Sequence, residues 1–167
     1  QMAAMIAYLG QKEGGLDKLK GKKIAFLYHD SAYGKEPIPV LDALGAKIGF
    51  DVLKIAVTPP GQTQESQWLQ IRQAKPDYVI VWTYGVMSTV ALKTAAKTGY
   101  PKDKLLGVWW AGSEEDVVPA GDAAKGYVSA SFTASGLGYP LIQEIKTKLY
   151  GAGKGNLEDP TRLGNVM

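Results

Sequence analysis

Five aromatic side chains, Tyr33, Trp82, Tyr84, Trp109 and Trp110, fall at or near points where short apolar runs give way to loops, and Gly112 and Ser113 follow the last pair. Residues of these types can wall a concave site, with ring surfaces desolvating a small amphipathic ligand while a few hydroxyls or backbone amides orient it. Ser31 and Ser113 can supply the hydroxyls. Backbone amides at the helix N-termini that follow favour carboxylates. Strand alternation is expected to send Trp109 and Trp110 to opposite faces, so that only one of them walls a pocket. This is a binding inventory, and the rest of the chain offers little that would turn it into a catalyst.

Cysteine is absent, which removes disulfides, thiolate nucleophiles, Fe–S clusters and cysteine zinc sites together. His29 is the single histidine, so neither a histidine metal cage nor a two-histidine relay can be built. The turn after the first apolar run reads HDSAYG, with Gly34 alone where a dinucleotide fold needs three spaced glycines. The glycine–lysine segments 15–22 and 151–155 have neither the spacing nor the position of a Walker loop. A phosphoacceptor would need a carboxylate ending the third run, which ends Trp82-Thr83-Tyr84, and no Gly-x-Ser-x-Gly elbow exists. Glu114, Glu115 and Asp116 are consecutive and converge poorly on one ion, so they read as the charged start of a helix. No cofactor and no metal is implied. The balance of 19 Lys and Arg against 16 Asp and Glu leaves a net charge of +3, too small for a nucleic-acid footprint.

The elements that must position these residues alternate along the 167-residue chain. Apolar, β-prone runs at 24–29, 52–57, 77–84, 105–110 and 127–132 predict five strands. Helical stripes lie between them: Val40, Leu41, Leu44 and Ile48; Trp68, Leu69 and Ile71; Val90, Leu92, Ala95 and Ala96; and finally Leu141, Ile142, Ile145 and Leu149. Met2, Met5, Ile6 and Leu9 mark a leading amphipathic helix within 1–20. This order predicts a single α/β lobe, a three-layer, doubly wound, mostly parallel sheet. Its core spans 22–150 and a glycine-rich exit segment covers 151–167. Ligands of such sheets bind beyond the carboxyl ends of strands, near the reversal of strand order. That directs attention to the loops at 29–36, 58–63, 83–88 and 110–122. No apolar stretch reaches the length of a membrane span. Both ends look cut, an expectation that the chain is part of a longer protein.

The run 22-KKIAFLYHDSAYGKE-36 resembles the opening of the second lobe in periplasmic branched-chain amino-acid binding proteins, the type I solute-binding components of ABC importers. The stretches 61–100 and 121-GDAAKGYVSA-130 are similar to that family in order and spacing, and the likeness covers essentially the whole chain. It implies two lobes closing on a ligand, this chain starting near the first crossing into lobe two and stopping near the return. By position, Tyr33 and Tyr84 would face the cleft, and residues around 109–112 would make the fourth-loop contacts. Many relatives place an acidic residue in that loop to pair with an amino-acid ammonium. Here Trp109 to Gly112 come first and carboxylates follow from Glu114. An aromatic or aliphatic carboxylate is therefore an open ligand class beside an amino acid. The resemblance further implies an ABC permease as partner, the first lobe of the same protein, a periplasmic location, and self-association where apolar surface is left bare. Two other readings stay open: a flavodoxin-like enzyme or regulatory domain using His29 and Asp30, and the sensor lobe of a receptor.

Overall fold

Ile24, Ala25, Phe26 and Leu27 are fully buried, and a strand hidden on both faces needs partners at both edges and helices above and below. The computed structural model, which describes residues 1–132 and 138–148, supplies them. Strand β1 (Lys23–His29) pairs in parallel with β2 (Asp51–Val57), from Lys23↔Asp51 to His29↔Val57. On its other edge it pairs with β3 (Tyr78–Trp82), from Ile24↔Tyr78 to Tyr28↔Trp82. The short β4 (Leu105–Gly107) and β5 (Val128–Ser129) complete a parallel sheet in the order β2-β1-β3-β4-β5.

The strand order fixes the layers. From β1 the chain steps outward to β2 through α3 (Ile38–Ile48), then returns past β1 to β3 through α4 (Glu65–Ala74). Right-handed crossovers in opposite directions put α3 and α4 on opposite faces. The next step, through α5 (Val86–Lys97), continues in the second direction, and α5 accordingly contacts α4. The leading helix α1 (Met2–Glu13) contacts α3, and its stripe of Met2, Met5, Ile6 and Leu9 is buried as the spacing predicts. Lys22 bridges to Glu13 at 3.2 Å, and the Tyr78 hydroxyl donates to the same carboxylate. These contacts lock α1 to the amino end of the sheet and hold the Glu13 carboxyl below its usual range, the Tyr78 bond being the main cause. The predicted α/β, doubly wound fold is the one observed.

Several boundaries differ from the sequence reading. Strand four stops at Gly107, and Trp109–Ala111 forms a single 3-10 turn closed by Ala111 N–H to Val108 O and Gly112 N–H to Trp109 O. Strand five is two residues at the sheet edge instead of six, so Phe132 lies outside it. A four-residue helix, α2 (Ala32–Lys35), occupies the first loop. Val40, Leu69 and Leu141, counted above as packing residues, are about half exposed. The last helix, α7 (Pro140–Lys148), buries Ile142, while Leu149, Tyr150 and the exit segment fall outside the described residues.

Candidate ligand-binding site

The strand order reverses between β1 and β3, and the chain leaving each of these strands carries aromatic residues to one place. After β1, Ser31 caps α2, its hydroxyl accepting from the Gly34 N–H. The same oxygen lies 2.8 Å from His29 Nδ1, so the hydroxyl offered by the sequence as a ligand donor is already engaged within its own turn. Asp30 pairs with Lys35 at 2.6 Å instead of with His29. The turn is tight: a Cβ on Gly34 would sit 1.8 Å from the His29 carbonyl oxygen, which explains the lone glycine of that segment.

This turn brings Tyr33 over the end of β3. Its ring centroid lies 6.2 Å from Trp82 and 5.8 Å from Tyr84, and Tyr84 stacks on His29 at 4.9 Å. Three of the sequence-derived site residues therefore form one cluster with His29, and Tyr84 is its exposed member. The Tyr33 hydroxyl and Trp82 Nε1 are buried and have no hydrogen-bond partner among the described residues. Burial, then the nearby Tyr84, Asp116 and Glu36, push the Tyr33 hydroxyl pKa well up.

A second aromatic group faces the same hollow. Trp109 and Trp110 touch, with centroids 4.1 Å apart, and Phe132 lies 5.2 Å from Trp109. The expectation that the two tryptophans diverge fails because they sit in a 3-10 turn, where strand alternation does not apply. Tyr33, Trp82, Trp109, Trp110 and Phe132 line one cavity of about 510 Å³, with Glu36 and Val40 also on its wall. Phe132, Glu36 and Val40 were missed from the sequence.

Gly112, Ser113 and Tyr84 do not line that cavity. Gly112 borders a separate hollow of about 530 Å³ with Tyr127 and Ser129. Ser113 precedes the short helix α6 (Glu114–Val117), whose Asp116 is 2% exposed. Burial raises the Asp116 carboxyl pKa to about 7, with Ser113 and Gly85 nearby opposing the rise, and its Oδ2 is buried without a hydrogen-bond partner among the described residues. Its peptide oxygen accepts from Thr89 Oγ1 at 2.8 Å, so Asp116 joins the fourth loop to the start of α5. A further cavity of about 550 Å³, beside the carboxyl ends of α4 and α5, is lined by Trp68, Arg72 and Tyr100 and contains none of the candidate site residues.

Residues 1–162 match the family model described as periplasmic binding protein. The chain belongs to the periplasmic binding protein family. Among solved structures, this binding protein is similar to one titled ABC transporter permease from the Pseudomonas fluorescens group, with 46% identity and a TM-score of 0.83 over 98% of this chain and 39% of that one. A fatty acid ABC transporter substrate-binding protein from Thermomonospora curvata shares the fold at 19% identity and TM-score 0.70, over 99% of this chain and 43% of that one. A branched-chain amino acid ABC transporter protein from Thermus thermophilus with bound valine does so at 20% and 0.70, over 99% and 44%. The chain thus spans about two fifths of the length of these structures. No curated protein matches its sequence. Among the described residues, no helix is long and apolar enough to cross a membrane.

Proposed function

We propose that this chain is one lobe of a two-lobed periplasmic receptor that binds a small amino-acid-like or apolar or aromatic carboxylate and hands it to an ABC permease. The observation carrying this reading is the gathering of Tyr33, Trp82 and Tyr84 where the strand order reverses, next to the cavity walled by Trp109, Trp110 and Phe132. That is where a doubly wound lobe offers a ligand its surface. Closure of two lobes would desolvate the ligand between aromatic walls, and the closed form would be selected by its higher affinity. The exposed Phe132, Trp110, Tyr84 and Val86 support a face covered by the other lobe, and self-association where that lobe is absent.

Isothermal titration of the full gene product and of this chain alone, with amino acids and small carboxylates, tests the reading. The full product is expected to bind at least one of them saturably. The lone lobe is expected to bind it about a hundredfold more weakly, because half the contacts are gone. Equal affinity for the two would overturn the single-lobe reading. No binding of any amino acid or carboxylate by the full product would overturn the ligand class.

A further inference from the structure

The cavity between the two aromatic groups has an unbalanced chemistry. Five of its wall residues are aromatic: Tyr33, Trp82, Trp109, Trp110 and Phe132. The polar atoms of Tyr33 and Trp82 are buried out of reach, so these side chains offer the cavity ring carbon instead of donors. No lysine or arginine lines it; Gln1 adds a neutral amide, and the single charged side chain is the carboxylate of Glu36, which forms no ion pair among the described residues. Ring faces carry negative potential, and Glu36 adds to it.

Three kinds of occupant can be weighed against this wall. A carboxylate would meet ring faces and the like charge of Glu36, with no cationic side chain on the wall to pair with it. A neutral apolar group would gain burial but would leave the charge of Glu36 without a partner. A cation whose charge is spread over alkyl groups sheds its hydration easily. It gains about 0.5–2 kcal/mol from an aromatic face and is attracted by Glu36 as well.

We infer that this cavity receives the alkylated ammonium end of the ligand, in the manner of an aromatic cage, with Glu36 as its counter-charge. The inference rests on the proposed receptor function and narrows its ligand class to N-alkylated, betaine-type compounds, whose carboxylate is held outside the cavity. The Trp109–Trp110–Phe132 group and the Tyr33–Trp82 pair form the two walls. The contact of Trp109 with both Trp110 and Phe132 makes the first wall continuous.

Titration of the full gene product with charge isosteres tests this. The probes are glycine betaine and choline, each beside its tert-butyl analogue in which carbon replaces the quaternary nitrogen, together with valine and benzoate. The cations are expected to bind at least about tenfold more tightly than their carbon isosteres. Glu36→Gln and Phe132→Leu, both at exposed positions, are each expected to shrink that ratio several-fold. Equal binding of cation and isostere, or an unchanged ratio in both variants, overturns the inference. Binding of valine or benzoate but of neither cation overturns it too, and leaves the proposed function standing. Binding of choline with no carboxylate bound supports the cage and overturns the carboxylate part of the proposed function.

Discussion

His29 and Tyr84 stack with their planes 18° apart, joining the end of β1 to the loop after β3 across the reversal of strand order. The two rings have unequal surroundings. His29 is 7% exposed and held by Ser31, whereas Tyr84 is 48% exposed. One residue of the pair thus belongs to the fold, and the other is free to serve the proposed site.

That asymmetry predicts separable effects. Tyr84→Ala should change stability by less than about 1 kcal/mol, because an exposed ring loses little burial. As a member of the proposed site it should nonetheless weaken ligand binding several-fold in the full protein, since truncating an interfacial aromatic removes about 1 kcal/mol or more. His29→Ala should cost about 2 kcal/mol of stability by leaving a hole under Tyr84 and freeing the Ser31 hydroxyl. Urea denaturation with parallel titrations separates the two, and a larger stability loss for Tyr84→Ala would reverse the assignment.

Gly34→Ala is expected to be far more damaging than a surface substitution. The added methyl would fall 1.8 Å from the His29 carbonyl oxygen, a backbone atom that cannot turn aside. The turn would have to open, carrying Tyr33 off Trp82, at a cost of about 3 kcal/mol or more. A denaturation midpoint within error of the parent would show that the turn adapts.

How much of this was legible depends on the range of the interaction. The buried runs of β1 and β3, and hence the strand ends near which Tyr33, Trp82 and Tyr84 lie, follow from local pattern. Trp109 and Trp110 were misread because the strand period was carried past Gly107. The turn that replaces the strand there is tied by a hydrogen bond from the Tyr127 hydroxyl to Ala111 O, sixteen residues away in sequence, which no local window contains. Gly107 and Gly112 flanking the pair were the available signal, since glycine inside a strand often marks a bend. Asp116 was hidden by its neighbours. In a run of three acids the sequence cannot say which one faces inward, and α6 buries only the third.

Asp116 should make stability fall as pH rises. Its carboxyl titrates near 7 when folded and near the ordinary 3.8 when unfolded, so the folded chain holds the proton more tightly. The resulting stabilisation is fully present below about pH 4 and is lost as pH rises through about 7. Asp116→Asn keeps the size and a side-chain acceptor but cannot ionise. It should match the parent at pH 4 and have a Tm several degrees higher at pH 8. A lower Tm for Asp116→Asn at pH 8 would mean that the ionised form is the one the fold prefers.

The geometry of the Trp109–Trp110 wall should depend on a residue outside the cavity. The Tyr127 hydroxyl reaches Ala111 O at 2.9 Å, and it does so across Gly107, where a Cβ would lie 1.7 Å from it. Tyr127→Phe removes the donor and leaves the Ala111 carbonyl without that partner, at a cost of about 1–2 kcal/mol. Gly107→Ala should act at the same point by pushing the hydroxyl away, and should cost more because a backbone methyl also crowds Ser129. Two indoles 4.1 Å apart couple electronically, so the pair reports on its own geometry through near-ultraviolet circular dichroism. Both substitutions are expected to weaken that signal and to lower affinity in the full protein together. A signal that survives Tyr127→Phe would assign the turn to its own two backbone bonds, and the tyrosine to the packing of the sheet edge.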